Sequence, residues 1–280
     1  MALYGLYGQP DLPPLIQFAE GLRKVGHDFR WRNHNAWSGE TEPFHCVVTY
    51  GARAQALDLI RHYESKGVPV VVIDHGYMKR VNIREDYLSG HFQVGMGRLG
   101  WVPPAAHSDR FETLGVSVCE RPERPLRNIL ILGQVGHDAS HRKTPEQLMQ
   151  GYASIGERLQ SAGMKVRFRG HPLGPDVKPA LPMDGVRLLS DAIADADAVL
   201  SLNSNAGLDA LVAGCPAIVM LRSHYDEISY RWPVPLQLVK APPAQQVKAY
   251  LHRLAYAQWT AAEMSEGLPQ RFLASIGAIP

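Results

Sequence analysis

"DAVLSLNSNAGLDALVAGCPAIVML" runs from Asp197 to Leu221. Residues 197–204 read as a short buried strand, 205–214 as a helix closed by glycine, and 215–221 as a second buried strand. Strand, helix and strand in such close succession make a crossover unit, the only short route between two parallel strands. The same rhythm extends to both sides. Upstream, "NILILGQ" (128–134) and "MKVRFRG" (164–170) read as strands flanking a helix over 144–163, with Thr144 as its N-cap and Pro145 at its first position. "VRLLS" (186–190) is expected to be a short strand and "DAIADA" (191–196) a short helix. Downstream, "LQLVK" (236–240) is expected to complete the strand set, followed by helices over 243–257 and about 260–274.

The first part of the chain repeats the pattern. Strands are expected at 2–8, 28–33, 44–51 and 68–76, and helices at 13–26 and 52–67. Residues 77–118 are rich in glycine, charges and aromatics and read as loops around short elements. "CERPERPLR" (119–127) has two prolines and five charges, the composition of a linker. Alternating β and α elements imply parallel sheets covered by helices on both faces. The fold class expected is therefore α/β, with two Rossmann-like doubly wound domains facing a cleft. The first spans 1–125 and the second 126–280, the last helix crossing back to the first domain. Ligands in such sheets bind at the carboxyl ends of strands.

Composition sets limits on the function. The 280 residues are 45% hydrophobic and 20% charged, enough for a sizeable core. Net charge is +2 with histidines neutral, too mild to indicate a nucleic-acid partner by itself. The first 125 residues carry 14 basic and 14 acidic side chains, an even balance. Three cysteines, Cys46, Cys119 and Cys215, form neither a disulfide framework nor a zinc spacing. The start has no basic and apolar signal-peptide pattern, and no apolar run reaches the length of a membrane span. The cytoplasm is the expected compartment.

Every chemistry-bearing motif falls at the end of an expected strand. In "NSNAG" a helix begins at Ser204 or Asn205, and its free N–H groups favour an anion. Gly207 permits close approach, and Asp209 is placed to accept from ribose hydroxyls. "RFRGHP" (167–172) offers Arg169, able to fork onto a phosphate, and His171, able to donate to a leaving oxygen. "GQVGHDAS" (133–140) presents Gln134, Asp138 and Ser140. His137, Asp138 and His141 on one loop are a weak metal signature, and no metal is expected. In the first domain, "VVVIDHGYMKR" (70–80) places Asp74 and His75 as general bases, followed by Lys79 and Arg80, with Glu85 and Asp86 as rival bases. Residues 23–37 interleave basic and aromatic side chains, and Arg30, Trp31 and Arg32 are acceptor-binding candidates.

The succession "ILGQVGHDAS", "RFRGHP" and "DAVLSLNSNAGLDALVAGCPAIV" resembles the capsular-polysaccharide glycosyltransferases of GT-B fold. These include the β-Kdo transferases, and some relatives are encoded by phages. The resemblance covers about residues 128–221. It implies a nucleotide-sugar site in the carboxyl-terminal domain, with Gln134 and Asp138 facing the donor. Arg169 stands in for the family lysine at phosphate with His171 beside it. Ser204, Asn205 and Gly207 fall at the phosphate, and Asp209 replaces the family glutamate at the ribose. Neither metal nor cofactor is expected beyond the nucleotide-sugar co-substrate. The function expected is transfer of a sugar to an acceptor hydroxyl, on a saccharide or glycolipid or on a hydroxymethylated base of phage DNA. A flipped or exposed base would be needed in the second case. Hinge motion is expected at 119–127. Two rival readings are a sugar-nucleotide 2-epimerase and a non-catalytic nucleotide- or polyanion-binding protein.

Overall fold

The computed structural model describes residues 1–52, 54–79, 88–138, 140–185 and 188–280. The chain divides into two compact units, one of Met1–Leu114 with His252–Pro280 and the other of Gly115–Leu251. In chain order the first unit begins with β1 (Leu3–Tyr7), α1 (Pro13–Lys24), β2 (Asp28–Arg32), β3 (Cys46–Tyr50), α2 (Ala54–Ser65), β4 (Val70–His75), β5 (His91–Met96) and α3 (Asp109–Thr113). The second contains β6 (Asn128–Leu132), α4 (Pro145–Ser161), β7 (Lys165–Arg169), α5 (Leu189–Ala194), β8 (Ala198–Ser201), α6 (Asn205–Val212), β9 (Ala217–Val219) and β10 (Tyr230–Arg231). Helix α7 (Ala244–Ala255) carries the chain out of it, and β11 (Gln258–Thr260), α8 (Ala261–Ser265) and α9 (Leu268–Ser275) complete the first unit.

In the first unit the sheet order is β11-β5-β4-β3-β1-β2. The four strands β2, β1, β3 and β4 are parallel, and β5 and β11 are antiparallel to their neighbours. Side chains alternate between two buried faces, as a sheet covered on both sides requires. Val71 and Ile73 join α1, α8 and α9 side chains such as Phe18, Met264 and Leu273, while Val70 and Val72 pack with Leu59, Ile60 and Tyr63 of α2. In the second unit all five strands are parallel, in the order β10-β9-β8-β6-β7. Ile129 and Ile131 pack with α4 through Tyr152 and Leu159, and Leu130 and Leu132 pack with Ile193 and Ala210.

Both sheets are thus Rossmann-like α/β layers. In the second unit, β6 leads to β7 on one side and to β8 on the other. The chain changes direction between β6 and β8, which is the topological switch point.

Several expectations are corrected. Residues 236–240 form no strand, because Leu236–Leu238 is a single 3-10 turn following Pro235. Of the strand expected at 186–190, Leu189 and Ser190 open α5, and Val186 and Arg187 lie outside the described residues. The helix expected over 260–274 is two helices, separated at Gly267 with φ of 75°, a left-handed conformation that ends a helix at little cost to glycine. Strand β5 arises in the stretch read as loops around short elements, and β11 between the two expected helices. The segment read as a linker packs on the second unit. Cys119 N–H donates to Val212 carbonyl at 2.8 Å, and Arg121 donates to the carbonyls of Ile193 and Ala196 at 3.1 and 3.2 Å.

Candidate functional site

The carboxyl ends of β6 and β8 are joined by an amide clasp. Gln134 Nε2 donates to Asn203 Oδ1 at 2.9 Å, and Asn203 N–H donates to Gln134 Oε1 at 3.0 Å. Asp138 Oδ1 accepts from both the N–H and the hydroxyl of Ser140, at 2.8 and 2.6 Å. The Ser140 hydroxyl also reaches Asn203 Oδ1 at 3.3 Å. Three residues read from the sequence therefore meet around a fourth, Asn203, which sequence reasoning passed over. Its signal was present: it is a polar residue two places beyond a four-residue buried strand. The loop that carries Asp138 and Ser140 is tightly closed. His137 N–H donates to Lys143 carbonyl at 2.7 Å, and both His137 and Arg142 adopt positive φ, at 60° and 56°. Such conformations cost non-glycine residues energy and persist only where surroundings enforce them. Burial lowers the His141 pKa, which favours its neutral ring.

Helix α6 starts beside this clasp. Ser204 Oγ caps it by accepting from Ala206 N–H at 3.3 Å. Tyr225 fixes the same turn. Its hydroxyl donates to Ser204 carbonyl at 2.7 Å and lies 3.2 Å from Ser201 Oγ. A Cβ on Gly207 would stand 2.1 Å from that hydroxyl. The approach that Gly207 permits is therefore made by Tyr225, a correction to the expectation that its open space serves a ligand. Burial drives the Tyr225 pKa upward, so the hydroxyl keeps its proton. Asn205 and Asp209 are partly exposed on the first turns of α6.

At the end of β7, Arg169 Nη1 donates to Asp184 Oδ2 at 2.9 Å, and Arg167 Nη1 donates to Asp184 Oδ1 at 2.7 Å. Arg169 is thus one arm of an ion triad rather than a lone cation. Asp184, 15 residues away, was not legible as its partner. The turn that follows lies against the loop after β6: a Cβ on Gly174 would stand 3.3 Å from Val135 Cα and 3.4 Å from Gln134 carbonyl oxygen. His171 Nδ1 accepts from Leu173 N–H at 3.1 Å. That bond assigns the ring proton to Nε2 when the imidazole is neutral.

In the first unit, Asp74 and His75 end β4 and are half-buried. Asp74 Oδ1 accepts from His75 N–H at 2.7 Å. The chain beyond them is held by two buried glutamines. Gln258 Oε1 accepts from the N–H groups of Tyr77 and Met78 at 2.9 and 2.8 Å, and its amide donates to Met78 carbonyl at 3.1 Å. Gln93 Nε2 donates to His75 carbonyl at 3.0 Å, and its Oε1 accepts from the Tyr77 hydroxyl at 2.8 Å. Neither glutamine was singled out in the sequence.

The acceptor candidates fare differently. Lys79 is exposed with a φ of 51°. Arg80, Glu85 and Asp86 lie outside the described residues. Arg30 is exposed. Trp31 packs edge-to-face on Phe29 and against the core, and Arg32 pairs through two nitrogens with Glu42. Trp37 meets the His62 ring and donates to Glu40 carbonyl. The aromatic side chains of this stretch are therefore used inside the unit, because β2 is an edge strand whose side chains cover the core margin. Among the described residues no group of three or more His, Cys, Asp or Glu is placed to hold a metal ion, and no helix is long and apolar enough to cross a membrane.

Neither a protein-family model nor a curated protein matches the sequence. Solved structures do share the fold. The chain is similar to the β-Kdo 2,7 transferase of Thermosulfurimonas dismutans KpsC, with 14% identity, 97% of this chain and 100% of that chain covered, and a TM-score of 0.53. It is similar to the β-Kdo 2,4 transferase of the same protein, with 13% identity, 89% of each chain covered and the same TM-score. The fold of this chain is the α/β architecture with two Rossmann-like sheets found in these GT-B transferases.

Proposed function

We propose that the chain is a metal-independent glycosyltransferase, with the nucleotide-sugar donor bound on the second unit. The observation that carries this reading is the Gln134–Asn203 clasp at the switch point between β6 and β8, beside the capped start of α6. A crevice at that position is where doubly wound sheets take their ligands, and the first N–H groups of α6 suit a phosphate. In this reading Ser204, Asn205 and Arg169 face the phosphate, Asp209 the ribose, and Gln134, Asp138 and Ser140 the remainder of the donor.

Transfer forms a bond from the acceptor oxygen to the anomeric carbon and breaks the bond from that carbon to the phosphate oxygen. The phosphate leaves with the electron pair. Negative charge grows on it, and donors already aimed there lower the barrier. His171 Nε2 and Arg169 take that role. The acceptor hydroxyl proton passes to a base, for which Asp74 and His75 are the candidates in the first unit. A saccharide hydroxyl is the favoured acceptor, because Trp31, Trp37 and Arg32 are engaged within their own unit and offer no stacking platform for bases.

The test is thermal unfolding in the presence of UDP, CMP, GDP and ADP. A nucleotide bound by the native state raises the midpoint according to its concentration over Kd. Stabilisation by one nucleotide, reduced in Ser204→Ala and Arg169→Ala, supports the site. Absence of any shift at millimolar nucleotide removes the support. Conversion of the matching nucleotide-sugar to an isomer without acceptor would replace transfer by epimerisation.

A further inference from the structure

We infer that Asp184 is a positioning residue, whose buried carboxylate fixes the guanidinium of Arg169 at the carboxyl end of β7 for an anionic ligand. The inference rests on the proposal that the second unit binds a nucleotide-sugar phosphate. Asp184 has a side chain only 1% exposed, against 19% and 22% for Arg167 and Arg169. A carboxylate taken out of water costs stability unless cations and donors surround it. Here both oxygens are engaged, one by each arginine.

A purely structural role does not account for this arrangement. The segment holding Asp184 is already tied to β7 by main-chain bonds. Phe168 N–H donates to Pro182 carbonyl, and Asp184 N–H donates to Phe168 carbonyl, both at 2.8 Å. The side chain is therefore not needed to attach the segment. The charges point the same way. Arg167 and Arg169 stand on one face of the strand, two residues apart, against one carboxylate. Arg169 closes the strand, at the end that also carries His171. Arg167 holds Asp184 Oδ1 and reaches Ala192 carbonyl at 3.4 Å, so it serves as the anchor. Arg169, last in the strand, is the arm presented to the ligand. A guanidinium whose rotamer is already fixed loses less entropy on binding phosphate than a mobile one.

The test has one readout that needs no ligand and one that does. In ¹⁵N-labelled protein, the Arg169 Nη–H group, identified by the loss of its resonance in Arg169→Lys, is expected to exchange slowly with solvent. In Asp184→Asn its exchange is expected to quicken by about tenfold or more. In calorimetric titrations with UDP and with CMP, Asp184→Asn is expected to weaken the nucleotide that binds by about tenfold, the scale of a charge-assisted hydrogen bond. The double variant with Arg169→Ala is expected to bind no more weakly than Arg169→Ala alone, because Asp184 acts through that side chain. If Asp184→Asn does not fold, Asp184→Glu keeps the charge and shifts it by one methylene, with the same dependence on Arg169. Unchanged Arg169 exchange, or additive losses in the double variant, overturns the inference. Quickened exchange in a protein that binds neither nucleotide overturns the nucleotide-sugar reading and the ligand role, leaving Asp184 only as the restraint on Arg169.

Discussion

Gln134 and Asn203 hold each other by two hydrogen bonds, of 2.9 and 3.0 Å, across the gap where the second sheet changes winding direction. Neither residue belongs to a strand, yet each stands two places beyond the end of one. The clasp fixes the spacing of the two loops that carry Asp138, Ser140 and Ser204. Replacing Gln134 by alanine strands the Asn203 N–H and leaves Asn203 Oδ1 with the longer bond from Ser140, at a cost of about 1–3 kcal/mol. The expected result is a lower unfolding midpoint and roughly tenfold weaker binding of the stabilising nucleotide, read by thermal unfolding with and without it. Full affinity in Gln134→Ala would separate the clasp from the site.

Gly207 and Tyr225 form a packed pair at the start of α6. Gly207→Ala places a methyl 2.1 Å from the Tyr225 hydroxyl, inside contact distance. The ring has to move and give up its bonds to Ser204 and Ser201. Overpacking of this kind costs about 1–3 kcal/mol. Urea unfolding should show the loss as a lower midpoint with an unchanged slope.

Substitution of His171 by alanine is expected to lower turnover by about 10²–10⁴-fold, a larger effect on the rate than on the unfolding midpoint. Asp74→Asn is expected to lower turnover on a comparable scale if Asp74 is the base. Loss in His75→Ala with Asp74→Asn fully active would transfer that role to His75. Steady-state rates with the donor named by the nucleotide screen decide between them.

Arg110 and Glu263 predict a pH dependence in the first unit. Burial would raise the Glu263 pKa, but the Arg110 hydrogen bonds, one of them 2.6 Å, and those of Thr260 outweigh it and hold the carboxyl below its usual value of 4.5. A carboxyl lowered on folding stabilises the native state fully above its unfolded pKa. That contribution fades as pH falls from about 4.5 through the lowered folded value. Glu263→Gln is expected to cost about 1–3 kcal/mol at pH 7 and progressively less toward pH 3. Parallel urea titrations at pH 7, 4 and 3 check this, and a constant difference would contradict it.

Much of this molecule was legible because apolar period and capping agree locally. The crossover from Asp197 to Leu221 shows two buried runs, a serine cap and a closing glycine, and the structure forms β8, α6 and β9 there. Strands β5 and β11 escaped because each carries a buried glutamine, Gln93 or Gln258, where period reasoning expects an apolar residue. Those glutamines bond to chain segments distant in sequence, so no local signal reveals why they are tolerated. Asp184 escaped for the same reason. Its partners come from a strand, while it sits on irregular chain brought alongside by main-chain bonds to Phe168. Trp31 and Arg32 misled in the opposite sense. Their basic–aromatic pattern is satisfied by packing within an edge strand.

The first unit is assembled from both ends of the chain, and this bears on its synthesis. Trp259, Met264, Leu273 and Ile279 fill the same core as Tyr4, Phe18 and Val71, and β11 covers the edge of β5. A ribosome releases amino-terminal segments first, and contiguous domains fold as they emerge. Here the early segment must wait with an apolar face and an open strand edge while the whole second unit is made. The sheet of the first unit therefore closes only after the segment Gln258–Ser275 has emerged, and until then the edge of β5 stands open for pairing.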